Sequence, residues 1–299
     1  MRSNELMSDL ISLSDLDCRA FETIASRAVE LAQFWHDGAM PQSLVGLRIG
    51  LIEELPGWRN PSALALGAAA MGATCVRLDT GLEGKESLED LAGYLDNWFN
   101  LIGVRTPSLA RLRSFADSAV APVINLRTND DHPCEILGDL SYVLSERGSW
   151  ENMRVAVVGP RGNIAKSWIE AAAVLPIQVT QVSPATYAYQ ADELPPRATA
   201  TDQKEAVTTA DLIVTDCWPT EASADETEHF KALCIDAEIL DRAPPHTLFV
   251  PCPPVTRGQE VADSAMRHDR CKAKQAKAFL LHTQNAIMER LSRLRGIIG

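Results

Sequence analysis

From residue 47 onward the apolar positions fall in short runs separated by amphipathic stretches. The runs 47–53, 74–78, 101–105 and 122–124 predict strands; residues 61–72, 86–97, 107–117 and 134–147 space their apolar side chains for helices. The alternation restarts at "RVAVVG" (154–159), after the polar stretch "SERGSWENM". It continues with strands at 178–182, 212–215 and 247–250 and helices near 163–174 and 225–233. Strands alternating with helices of about 10 to 15 residues build parallel β-α-β units. Ahead of the first strand, residues 8–34 set Leu10, Leu13, Ala20, Phe21, Ile24, Ala28 and Leu31 at helical spacing. The last stretch, about 272–296, is amphipathic and long. Residues 183–203, "SPATYAYQADELPPRATATDQ", read as a surface loop by composition.

With 299 residues the chain is long for one core and suits two of roughly 150. The expected fold is therefore α/β: two doubly wound parallel-sheet domains, 1–150 and 151–299, with a cleft between them. The C-terminal helix, about 272–299, is expected to return to the first domain.

Charge narrows the partners. Lys and Arg number 28 against 40 Asp and Glu, a net charge of −12, a field that repels nucleic acid and anionic membranes. No apolar run reaches the length of a membrane span. The N-terminus carries acids and lacks the apolar core of a signal peptide. The seven Cys are scattered without a C-x-x-C pair, so neither a disulfide framework nor a metal site is expected, and the cytoplasm is the expected compartment.

In open α/β sheets, ligands bind beyond the carboxyl ends of the strands. The first strand end is followed by "EELPGWRNPSAL", with Asn60 read as N-cap and Pro61 as first helical residue, so Arg59 can hold an anion at a helix start. A capped helix with a solvated Arg fits the same residues. The third strand ends at Arg105, and the fourth leads through "NLRTNDDHPCE" to His132. Arg59, Arg105 and His132 thus converge on one edge of one sheet, a basic pocket in an acidic protein. In the second half, Gly159 and Gly162 do not fit the G-x-G-x-x-G dinucleotide fingerprint. Asn163 opens a helix, as cap or as ligand contact. Asp216 follows a strand, able to take an ammonium group or to cap a turn. Pro251-Cys252-Pro253-Pro254 follows another; Cys252 reads as a small buried residue ahead of a nucleophile, and the Pro-Pro bond can be cis.

These strand-end motifs, in this order, resemble the aspartate/ornithine carbamoyltransferase family over nearly the whole chain. "DHPCEILGDL" resembles its His-Pro-x-Gln helix start, "GKESLEDLAGYL" its Gly-Glu-Ser-x-x-Asp segment, and "VRTPSLARL" its strand-end Arg. "VVGPRGNIAKS" resembles its glycine loop, "TDCW" its Asp-Val-Trp, and "PCPPVTRGQEV" its His-Cys-Leu-Pro turn with the Arg-Gly-x-Glu-Val sequel. The resemblance implies a first domain that binds carbamoyl phosphate and a second that binds an amino acid. It also implies a homotrimer with shared sites and a reaction without metal or organic cofactor. Arg105 and His132 would polarise the carbonyl. Arg59 would hold the phosphate, with Trp58, Asn60 and Glu135 lining the donor site. Asn163, Asp216, Cys252 and Pro253 would hold the acceptor.

The departures bear on function. Ser-Thr-Arg-Thr-Arg of the family's phosphate loop is replaced by Gly57-Trp58-Arg59-Asn60-Pro61, and the Gln after His-Pro-x by Glu135. A carboxylate there repels a phosphate-bearing ligand unless it is protonated or turned away. The ornithine loop reads Thr220-Glu221-Ala222, the His and Leu of His-Cys-Leu-Pro are Pro251 and Pro253, and the Arg before "LHTQNA" is Leu280. The resemblance thus implies carbamoyl, or related acyl, transfer to an amino-acid-like acceptor. A non-catalytic scaffold or regulatory paralogue, and changed chemistry in the same cleft, are the other readings.

Overall fold

The structure, a computed structural model, describes residues 9–299. It divides into two compact units: one runs up to Gly148 and takes in Lys277–Gly299, the other is Ser149–Ala276.

The first unit is built on four parallel strands, β1 (Arg48–Glu53), β2 (Thr74–Leu78), β3 (Leu101–Arg105) and β4 (Val123–Arg127), in the order β2-β1-β3-β4. Helices α1 (Cys18–His36), α2 (Arg59–Ala70), α3 (Leu88–Asp96), α4 (Leu109–Ser118) and α5 (Pro133–Arg147) accompany them. The inner strand β3 is buried at all five positions, as a parallel strand covered on both faces must be, whereas the edge strand β2 is largely exposed. Ser87 and Ser108 cap α3 and α4 by accepting from Asp90 N–H and Arg111 N–H. Ile52, Leu91, Phe99, Ile102, Leu112 and Phe115 form one core between sheet and helices.

The predicted helix over 8–34 starts late. Its first residue lies outside the described residues, and Leu10 instead bridges to β4: its N–H donates to Val123 O at 2.9 Å and its carbonyl accepts from Asn125 N–H at 2.8 Å. Leu13 is buried in a short 3-10 turn, and α1 begins only after Asp17, whose carboxylate accepts from Ala20 N–H at 2.7 Å. Burial, not helical phase, accounts for the apolar spacing of residues 10–13.

The second unit has five parallel strands: β5 (Arg154–Val158), β6 (Gln178–Val182), β7 (Ala198–Thr201), β8 (Leu212–Thr215) and β9 (Leu248–Phe249), in the order β7-β6-β5-β8-β9. Helices α6 (Asn163–Val174), α7 (Ala224–Ala232), α8 (Ala237–Arg242) and α9 (Asp263–Met266) complete it. Val158, Ile213, Phe249 and Val261 belong to its core. The stretch read as the loop 183–203 ends in the edge strand β7; "ATAT" has no apolar run to announce a strand, and pairing with β6 supplies its order. Both units are thus doubly wound parallel α/β domains.

The C-terminal helix α10 (Ala273–Leu294) carries the chain back into the first unit. Glu289 on it is buried and accepts from Arg27 of α1 at 2.7 and 3.0 Å and from Ser43 at 2.5 Å. Phe279 meets Tyr142 of α5 edge-on at 5.7 Å between centroids. Among the described residues no helix is long and apolar enough to cross a membrane, and the seven cysteines are free.

Candidate active site

In the first unit the loop after β1 turns at Gly57, whose φ of +135° suits glycine alone. A Cβ at Gly57 would lie 2.4 Å from Arg105 Nη2, so the guanidinium packs directly beneath the loop. It holds the loop in place: Arg105 Nε donates to Leu55 O at 3.1 Å and Nη2 to Pro56 O at 2.6 Å. Arg105 and Arg127 stand opposite each other at the ends of β3 and β4, where the register shifts through a bulge after Val104. Burial, then the nearby Arg127 charge, lower the Arg105 pKa.

α2 begins at Arg59 rather than at Pro61, with Trp58 as N-cap, which corrects the reading of Asn60 as the cap. Asn60 is buried inside the first turn. Its Oδ1 accepts from Gln284 Nε2 of α10 at 2.8 Å, and its Nδ2 donates to Glu135 Oε2 at 3.4 Å. Trp58 is 70% exposed, and the Arg59 guanidinium lies over its ring, 5.1 Å from the centroid. The indole therefore sits on the surface of this unit, beside a depression of about 400 Å³ that Pro61, Cys75 and Arg77 help line.

His132 occupies the N-cap position of α5 without a capping hydrogen bond from its side chain, and Pro133 is the first helical residue. The turn before it is tied by Thr128, whose Oγ1 accepts from Asp130 N–H at 3.2 Å and Asp131 N–H at 2.9 Å. Burial drives the His132 pKa down to about 4; the Glu135 carboxylate opposes this, while Arg127, Arg105 and Lys277 reinforce it. The imidazole is neutral at pH 7 and so presents one N–H and one lone pair.

Glu135 is paired with a cation. Lys277 Nζ of α10 lies 2.7 Å from Glu135 Oε1 and 2.6 Å from Asp139 Oδ1. Burial, the largest single influence, would raise the Glu135 pKa, but the Lys277 ammonium, His132 and the Asn60 hydrogen bond together hold the carboxyl low; at Asp139 burial prevails and the pKa rises. The repulsion expected from the sequence is thus met by a partly buried cation that the chain supplies itself.

In the second unit β5 ends in Gly159-Pro160-Arg161-Gly162 ahead of α6. A Cβ at Gly159 would lie 3.1 Å from Asp216 Cβ, a tight contact that a larger residue could make only if Asp216 gave way, and Asp216 N–H donates to Val158 O at 3.0 Å. The position of a Cβ at Gly162 is 3.8 Å from Asp216 Oδ2, so the carboxylate overhangs the glycine loop. Asn163 is the first residue of α6, capped by Gly162, and is itself mostly buried. Cys252 is buried, its N–H donating to Thr215 O at 3.0 Å, and the Pro253-Pro254 bond is cis. Asn163, Asp216 and the Cys252-Pro253 turn therefore stand at the ends of three neighbouring strands, β5, β8 and β9.

The sequence pointed to Arg59, Arg105 and His132 at one sheet edge, and the structure places them at the ends of the adjoining strands β1, β3 and β4. It adds Arg127, Lys277 and Gln284. Arg127 lay in plain sight in "NLRTNDDHP", hidden because the predicted strand stopped at 124. Lys277 and Gln284 carry only a weak signal, two polar residues seven apart on an amphipathic helix.

Two parallel α/β units, each presenting polar side chains at its strand ends, form a class of transferase represented among solved structures. The ornithine carbamoyltransferase from Burkholderia thailandensis superposes with a TM-score of 0.88 at 27% identity, covering 95% of this chain and 98% of that one. In sequence, the ornithine carbamoyltransferase of Syntrophus aciditrophicus is 30% identical over 95% of this chain and 99% of its own. That of Desulfotalea psychrophila is 29% identical over 94% and 98%. The family description "Aspartate/ornithine carbamoyltransferase, carbamoyl-P binding domain" matches residues 8–145, and "Aspartate/ornithine carbamoyltransferase, Asp/Orn binding domain" matches residues 151–291. The chain belongs to the aspartate/ornithine carbamoyltransferase family and is an enzyme of the carbamoyltransferase kind.

Proposed function

We propose that the donor is carbamoyl phosphate or a close phosphorylated analogue and that the acceptor is the amino group of an ornithine-like amino acid. In this reading the first unit binds the donor. Arg59 at the start of α2 takes the phosphate, with Trp58 and Asn60 beside it and Glu135 at the transferable group. Arg105 and the His132 N–H polarise the carbonyl oxygen. The second unit binds the acceptor, with Asp216 accepting from an ammonium group and Asn163 donating to a carboxylate. The Cys252 and Pro253 backbone faces the attacking amine.

The reaction balances without an added reagent. The neutral amine forms a C–N bond to the carbonyl carbon, whose oxygen takes the charge beside Arg105 and His132. Collapse breaks the C–O bond to phosphate, which leaves with the electron pair and takes up the proton lost by the amine. The observation that carries the reading is the Glu135–Lys277 pair at 2.7 Å. It balances the carboxylate that would repel an anionic donor and leaves Arg105 and Arg127 beside a neutral His132.

The test is calorimetric titration with carbamoyl phosphate, alone and with ornithine present. Micromolar binding that is lost in Arg59→Ala, followed by phosphate release in the presence of an amino-acid acceptor, is the expected result. No heat up to millimolar donor would sink the proposal. The family resemblance also supports a homotrimer working in the cytoplasm. Light scattering of the purified protein is expected to give three chains per particle, and a monomer at micromolar concentration would refute it.

A further inference from the structure

Three buried side chains and the partly buried Lys277 close a ring within the first unit. Lys277 of α10 meets Glu135 of α5 at 2.7 Å, Glu135 accepts from Asn60 of α2 at 3.4 Å, and Asn60 accepts from Gln284 of α10 at 2.8 Å. Lys277 and Gln284 are two helical turns apart and so share one face of α10. The ring ties together the first turns of α2 and α5, the two helix starts that carry Arg59 and His132.

Burying an ion pair gains little stability over apolar packing of the same volume, so the ring's consequence lies in the geometry and charge that it imposes. Glu135 faces Lys277 from α10, Asn60 from α2, Arg105 from β3, and His132 and Asp139 from its own helix. Lys277 is the member that touches both carboxylates of α5, at 2.7 and 2.6 Å. Without it, two acidic side chains four residues apart would lie buried next to the start of α5, where an anionic donor has to approach.

We infer that Lys277 is a positioning residue of the donor half: acting through Glu135, it holds the starts of α2 and α5 in register and cancels the carboxylate charge before the donor arrives. The inference rests on the reading that a phosphorylated donor binds at those helix starts. Lys277 itself need not touch the donor. Asp139, whose pKa burial already raises, takes up a proton once Lys277 is gone, so the effect should vanish when Glu135 is neutral, which no general cationic or packing role predicts.

A double-mutant cycle read by carbamoyl phosphate titration decides this. Lys277→Met is expected to weaken donor binding about tenfold or more, because burial leaves Glu135 uncompensated. Glu135→Gln, which removes a carboxylate from the donor site itself, is expected to tighten donor binding relative to the unsubstituted chain. In the Glu135→Gln background, Lys277→Met is expected to change the affinity less than about twofold, the mark of an effect routed through one partner. The Lys277→Met protein should also regain affinity as pH falls from 8 to 6, because its unpaired carboxyls take up protons, and by more than the unsubstituted chain, where Lys277 holds Glu135 low and only Asp139 is raised.

An equal loss in both backgrounds, or no loss in the first, overturns the positioning role. Should Lys277→Met fail to fold, comparing Glu135→Gln with the double variant still decides: a further tenfold loss overturns the inference, and equal affinities support it. Failure of the unsubstituted chain to bind donor at all would instead defeat the donor reading and the inference with it. Binding that is indifferent to Lys277 defeats the inference alone.

Discussion

Replacing Arg105 by alanine is expected to lower kcat/KM for carbamoyl transfer by roughly two to four powers of ten. The side chain makes two charge-assisted hydrogen bonds to the loop carbonyls of Leu55 and Pro56, at 3.1 and 2.6 Å. Bonds of this kind contribute about 1.5–3 kcal/mol each, and about 1.4 kcal/mol is a factor of ten. Their loss frees the loop that carries Trp58 and Arg59 and removes the cation proposed to face the carbonyl oxygen, so KM should rise while kcat falls. Lysine should rescue little. It restores the charge, but a single ammonium lacks the planar fork that reaches both carbonyls at once. Steady-state kinetics on protein shown to be folded by circular dichroism would check this. A variant within tenfold of the parent would mean that neither the anchoring of the loop nor the proposed carbonyl contact of Arg105 governs turnover.

The second large effect concerns His132. Alanine there is expected to cost about 10² to 10³ in kcat, the usual loss when one preorganised donor to a developing oxyanion is removed. Glutamine, which keeps a neutral N–H donor, should retain more. Because the pKa is pushed down to about 4, first by burial, the imidazole does not titrate between pH 5.5 and 8.5, and the rate profile in that window should not report it. Stability responds differently. A histidine whose folded pKa is depressed stabilises the fold fully above its unfolded value, near 6.5, and that contribution is lost as pH falls from there toward 4. His282, packed against Trp35 and Phe279 and also lowered to about 4 by burial, acts in the same direction. Denaturant unfolding at pH 7 and pH 5 should therefore show acid destabilisation that is smaller in His132→Gln. An unchanged pH dependence would argue that His132 is not buried as neutral imidazole.

Much of the architecture was legible because parallel strands covered on both faces must be apolar without interruption. The strands at 101–105 and 212–215, buried throughout, fall where the runs predicted them; 74–78 and 178–182 do so too, although the first is a largely exposed edge strand and the second alternates along most of its length. Strand ends are also where α/β folds present chemistry, so Arg59, Arg105, His132 and Asp216 could be singled out one at a time. Short elements escaped for a stated reason: β7 has small residues and half-exposed positions, and α8 and α9 are too short to show a helical period. Leu10 misled because a buried bridge and a buried helix face both demand an apolar side chain.

What the order of residues determined by itself was the alternation of elements, the strand ends and the family to which they belong, since each follows from local periodicity and short motifs. Only the tertiary structure decided what those residues do to one another. Glu135 reads in isolation as a charge that spoils an anion site. Its meaning changes because Lys277, 142 residues further on, arrives on α10 at 2.7 Å. Asn60 reads as a helix cap, yet Gln284, 224 residues away, takes its side chain into a ring. Arg105 reads as a free strand-end cation, yet it is held under the loop that it supports. Electrostatic and hydrogen-bond partners are set by distance in space, and burial strengthens those couplings while no local pattern in the chain encodes them.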